Sequence, residues 1–243
     1  MKKRKLLSIL LGSLLTLNLM CGASFADETL ILGKYTIQEA ADLSGFSVED
    51  LTAYKEIAGD NFDSEVERFI ESSISTVDVN NKTTRALPGG LSSFRSRIKM
   101  GDIHVTADNK TSGYRHGHAA LAISSTQNLE TLGGSTLSVI RNNQGWENHN
   151  TYALVRIKSS SLSSSKIASA VKYGQNNLTG IKYSANSGWG SLSTVNCASL
   201  VMRAYKYGAN FTFTNSYPTA ISLPREFIDS KHTTKIYSYN MPW

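Results

Sequence analysis

A chain of 243 residues with 40% apolar content is long enough for one domain with an appendage or for two small domains, and can bury a core. Its formal net charge of +6 is concentrated partly in the first residues, and its two cysteines lie far apart, at Cys21 and Cys197. If the leader read below is removed, one thiol remains, so an internal disulfide framework is excluded.

Lys2, Lys3, Arg4 and Lys5 precede an apolar run from Leu6 to Met20, and Ala23-Ser24-Phe25-Ala26 provides a cleavage sequence of small residues. This predicts a signal peptide over residues 1–26, with a core too short for an ordinary membrane span, and hence a secreted or cell-envelope protein with no transmembrane segment after processing. Lipidation at Cys21 is the alternative, disfavoured by Asn18 and Met20 beside it. Cleavage after Ala26 removes four positive charges and leaves a net charge of +2.

The remaining chain divides by charge: residues 27–85 carry 13 acidic and 5 basic side chains, and residues 86–243 carry 6 and 16. The acidic part reads as helical over residues 27–75. Thr36 is placed to cap a run with Ile37, Ala40, Ala41 and Leu43, and Ser47 to cap one with Val48, Leu51 and Tyr54; a third stretch from Asp63 to Ile74 aligns Val66, Phe69 and Ile70. Although two short helices around a Gly turn suggest a helix-turn-helix, an acidic, exported segment is unsuited to nucleic acid. It is expected to be either a structural appendage or a propeptide lying on the basic half. Residues 76–90, ending in Pro88-Gly89-Gly90, read as a linker, with Arg85 a potential processing site.

Residues 91–243 mix strands and helices. Strands are predicted at Asp102–Thr106, Ala119–Ser124, Thr136–Ile140 and Tyr152–Ile157. One helix is predicted from Ser163–Ser165 to Gly174, and a second from Cys197 to Tyr207, with Gly208 at its left-handed cap.

Cys197 opens that second helix, where backbone donors and the helix dipole favour a thiolate and can hold an oxyanion. A buried, inert cysteine is the plainer alternative. A thiol nucleophile needs a base within reach. Of the five histidines, His118 is best placed, opening the buried strand Ala119-Ala120-Leu121-Ala122-Ile123 after Gly117, with His116 the second choice. Glu130, just ahead of Gly133-Gly134, is the candidate to orient the imidazole; His149 and Asn150 are its rivals. The histidine spacing gives no expectation of a metal site, and no cofactor is implied.

Gly101-Asp102-Ile103, His116-Gly117-His118-Ala119-Ala120-Leu121, Asn128-Leu129-Glu130 and Asn196-Cys197-Ala198-Ser199-Leu200-Val201 occur in an order that resembles the circularly permuted branch of the NlpC-type papain-fold hydrolases, the YiiX/YebB-like group. That branch is also similar to lecithin:retinol acyltransferase-like enzymes. The resemblance spans roughly Gly101 to Tyr207. It implies an α+β fold with an antiparallel sheet packed on helices, Cys197 as nucleophile, His118 as base and Glu130 as the orienting residue. It also implies that Tyr183, in Gly180-Ile181-Lys182-Tyr183, lies near the oxyanion. Ala198 stands where the group often has serine.

The leading functional expectation is a cysteine peptidase or amidase acting on cell-envelope peptides of peptidoglycan type, the basic half favouring anionic envelope material. Thiol acyl transfer or lipid deacylation is the second expectation. A non-catalytic envelope-binding module is the third. The oligomeric state is not legible.

Overall fold

The structure, a computed structural model, describes residues 35–44, 48–64, 66, 67, 70, 95–108, 117–133, 135–213, 218 and 220–243. The expected signal peptide, Cys21, Ser47, the linker with Arg85, and His116 lie outside these residues.

The described chain is α+β. Six strands form an antiparallel sheet in the order β4-β3-β2-β1-β5-β8. They are β1 (Ile103–Thr106), β2 (His118–Ala122), β3 (Gln127–Glu130), β4 (Val139–Asn142), β5 (Tyr152–Ile157) and β8 (Thr233–Tyr239). Two-residue strands β6 (Lys182–Tyr183) and β7 (Thr194–Val195) pair in parallel elsewhere.

The strand alternation explains the layering. Ile103, Val105, Ala119, Leu121, Leu129, Ala153 and Val155 share one face of the sheet and pack with residues of α3 (Ser164–Asn177) and α4 (Cys197–Ala209). The opposite face carries Ala120, Ala122, Tyr152 and Leu154, packed with Trp146 from a 3-10 turn at Asn143–Asn148. With both faces covered, central strands read as continuous apolar runs rather than alternating ones.

Two glycines expected at helix ends lie inside helices instead. Gly174 is in α3, where an added Cβ would meet Leu129, Leu121 and Ala204 at 3.2–3.4 Å. Gly208 is in α4, where a Cβ would come within 2.6 Å of the Ala170 backbone. Both glycines allow close packing of α3 against its neighbours; the left-handed residue after α4 is Asn210. The strand expected at Thr136–Ile140 begins later, at Val139, while β3, β8 and α5 (Arg225–Asp229) had no clear periodic signal.

The acidic segment forms α1 (Ile37–Ser44) and α2 (Val48–Ala58), and Thr36 caps α1 in a reciprocal box with Glu39. Ala40, Leu51, Tyr54, Phe62, Val66 and Ile70 make a separate core, which is completed by Ala185, Ile221 and Leu223 from the basic half. The Ile221 amide donates to the Tyr54 hydroxyl at 2.9 Å.

Candidate active site

Strand register brings the expected base and its orienting carboxylate together. His118 opens β2, which pairs with β3, whose last residue is Glu130. The His118 Nε2 lies 2.9 Å from Glu130 Oε2, and the other carboxylate oxygen is 3.4 Å from Arg141 Nε on β4. Gly117 determines where β2 begins. Its φ of +77° is costly for other residues, and a Cβ there would lie 2.2 Å from the Thr106 carbonyl oxygen.

Cys197 is the second group that acts on the same imidazole. Burial alone would lower the His118 pKa, but a hydrogen-bonding interaction with the Cys197 sulfur, then the hydrogen bond and charge of Glu130, push it up to about 10. With Nε2 committed to Glu130, Nδ1 is the nitrogen left for sulfur. Burial opposes ionisation of Glu130, yet the His118 hydrogen bond, the His118 charge and Arg141 hold its carboxyl below the ordinary range.

Cys197 is the first residue of α4, whose Asn196 cap is unusually well held. Asn196 Oδ1 accepts from the Ser199 amide at 2.6 Å, and Ser199 Oγ accepts from the Asn196 amide at 2.8 Å. Asn196 Nδ2 donates to the carbonyls of Ala185 and Ser222 at 3.1 and 3.0 Å. The Leu200 amide bonds the Asn196 carbonyl. The amides of Cys197 and Ala198 have no acceptor among the described residues, as expected for the first turn of a helix.

Trp146 stacks on His118 with ring centroids 5.2 Å apart and planes 13° apart, and also touches His104 and His149. His104 is fully buried, with Nδ1 2.9 Å from the Tyr152 hydroxyl, and burial lowers its pKa to about 3. His149 Nδ1 is 3.5 Å from Asp108 Oδ2, and the Asn150 amide also bonds Asp108. Thus neither rival occupies the place of Glu130. A pocket of about 190 Å³ opens beside these groups, lined by His118, Glu130, Arg141, Trp146, His149 and Asp108, among others.

Tyr183 is not among that pocket's lining residues. It lies on β6, paired with the strand that leads into α4, and packs against the core of the acidic helices. Of the expected site residues, the structure gathers Cys197, His118 and Glu130. The sequence reading did not identify Trp146, Arg141, Asp108 or the Asn196 cap. An Asn three residues before Ser at a helix start was a readable signal for the cap; Gln144-Gly145-Trp146 offered none.

The fold and site define an α+β protein with a cysteine–histidine–glutamate constellation at a helix N-terminus. No family model matches the chain, and no curated protein does. Among solved structures, it is similar to the metalloprotein YiiX from Escherichia coli O157:H7 (DUF1105), with a TM-score of 0.44 and 14% identity over 58% of this chain and 97% of that one. Among the described residues, no group of three or more His, Cys, Asp or Glu side chains is placed to hold a metal ion, and no helix is long and apolar enough to cross a membrane.

Proposed function

We propose that this chain is an exported cysteine hydrolase of permuted papain-like fold that cleaves an amide bond in cell-envelope peptides. The observation that carries the reading is one imidazole hydrogen-bonded to the Glu130 carboxylate, with the Cys197 side chain close enough to help raise its pKa. An imidazole beside a thiol can take the thiol proton as the sulfur attacks.

In this mechanism the sulfur attacks the carbonyl carbon, and the carbonyl electron pair moves onto oxygen. The unpaired amides of Cys197 and Ala198 donate to that oxyanion, as preorganised donors in such sites do. Collapse breaks the C–N bond while His118 gives its proton to the leaving amine. His118 then takes a proton from water as the hydroxide attacks the thioester; the acid departs and the proton returns to sulfur. Glu130 holds the ring in the orientation that both steps need. The envelope assignment rests on the signal-like leader and the basic half.

The test incubates the exported chain and its Cys197→Ala variant with muropeptides and, separately, with phosphatidylcholine vesicles. Amine release from muropeptides that vanishes in the variant is expected. Fatty-acid release without muropeptide cleavage would move the activity to lipid deacylation. If iodoacetamide at neutral pH leaves Cys197 unmodified and neither substrate is cut, the thiol has no such role.

A further inference from the structure

A second pocket, of about 610 Å³, lies at the opposite end of the sheet from the sulfur and imidazole. Thr106 pairs with His118 at one end of β1, whereas the Gly101 amide donates to the Ala122 carbonyl at the other. Four steps of extended chain at ~3.3 Å separate Asp102 from Thr106 by about 13 Å. α4 spans the same distance: it starts at Cys197, and its Tyr205 hydroxyl donates to the Gly101 carbonyl.

The pocket lies between the approach to β1, the end of β5 and the start of α3. Its chemistry is divided. Met100, Ile157, Leu162 and Ile167 give an apolar wall, and Met100 is 46% exposed, unusually open for such a side chain. Lys99, Arg156 and Lys158 supply positive charge.

The one acid in the lining, Asp102, is already engaged. It accepts from Arg156 Nε and Nη2, each at 2.6 Å, and from the Lys99 amide at 2.7 Å. Its charge is therefore spent on Arg156, and no carboxylate in the lining balances Lys99 or Lys158. Lys158 is held at the rim by donating to the Lys231 carbonyl at 2.8 Å, and Lys99 is exposed. An open apolar wall beside two ammonium groups that no lining carboxylate balances suits a ligand with both properties.

We propose that this pocket is a second binding site, for a phosphate-type anion carried on an apolar stem. The proposal is independent of the hydrolase assignment, because none of the residues of the cysteine–histidine–glutamate constellation lines the pocket.

Calorimetric titration of the full exported chain with octyl phosphate, kept below its micellar concentration, tests the site, with inorganic phosphate and the uncharged octyl glucoside as comparisons. Octyl phosphate is expected to bind saturably, more tightly than either comparison. It should bind the Cys197→Ala variant equally well, and the Lys99→Gln/Lys158→Gln double variant about tenfold more weakly, the scale of losing charge-assisted contacts. Both lysines are exposed, so the double variant is expected to keep the wild-type urea midpoint. Equal binding by the double variant would overturn the anion assignment, and equal binding of octyl glucoside would do the same. Equal binding of inorganic phosphate would overturn the apolar stem.

Discussion

His118 and Cys197 interact but are held by different kinds of structure. The imidazole is fixed from within the sheet: Gly117 sets where β2 starts, register delivers Glu130, and Trp146 covers the ring. The sulfur is fixed by a helix cap that reaches residues distant in sequence, at Ala185 and Ser222. Those same two stretches support the core of the acidic helices. The proposed base, His118, thus depends on local register, whereas the proposed nucleophile, Cys197, depends on a long-range junction to which the N-terminal segment contributes. A segment docked there touches the support of Cys197 rather than the residues lining the pocket beside His118.

The contrast breaks most visibly at Asn196. Replacement by Ala removes the cap and leaves the buried Ala185 and Ser222 carbonyls without their donor, for an expected loss of about 3 kcal/mol by urea denaturation. The His118–Glu130 pair should survive, seen as an unmoved imidazole signal in NMR. Collapse of that signal at temperatures where the variant remains folded would mean that the two supports are not separate.

His104 should add sensitivity to acid, opposite in sign to His118, whose raised pKa favours the fold as the pH falls. Burial keeps His104 neutral down to about pH 3 in the folded protein, while the unfolded chain takes up a proton below about 6.5. The contribution is complete above 6.5 and falls as the pH drops toward 3. At pH 5 the loss is about 2 kcal/mol, from 1.36 kcal/mol per unit. Going from pH 7.5 to 5 should therefore cost wild type about 2 kcal/mol more than His104→Gln in urea denaturation; an identical change in both proteins would remove His104 from the account.

The smallest effect tests the junction itself. Tyr54→Phe takes the acceptor from the buried Ile221 amide and should lower stability by about 1 kcal/mol. It should also slow alkylation of Cys197 by iodoacetamide. Unchanged alkylation in a measurably destabilised variant would uncouple the acidic helices from Cys197.

What the sequence disclosed follows the same division. The buried strands β1, β2 and β5 and the helix at Cys197 were legible because each lies in a stretch with its own periodicity, whereas Glu130 was pointed to by the glycines after it and by the family resemblance, not by a strand signal. Gln127–Glu130 was harder to read as a strand: it has one apolar side chain, Leu129, between polar residues that neighbouring strands and the pocket accommodate. Gly174 and Gly208 were misread because a helix end and a tight helix contact both call for glycine, and only tertiary packing tells them apart. The partners of Asn196 lie 11 and 26 residues away, beyond any local pattern.

Gly117 carries a consequence for how this protein tolerates change. The residue before the imidazole has no side chain to trade, and even a methyl group would strike the Thr106 carbonyl oxygen at a backbone angle L-residues avoid. Mutational drift can therefore dismantle the arrangement without altering Cys197, His118 or Glu130, and a saturation library at position 117, scored for the proposed hydrolysis, should yield almost as few survivors as one at His118.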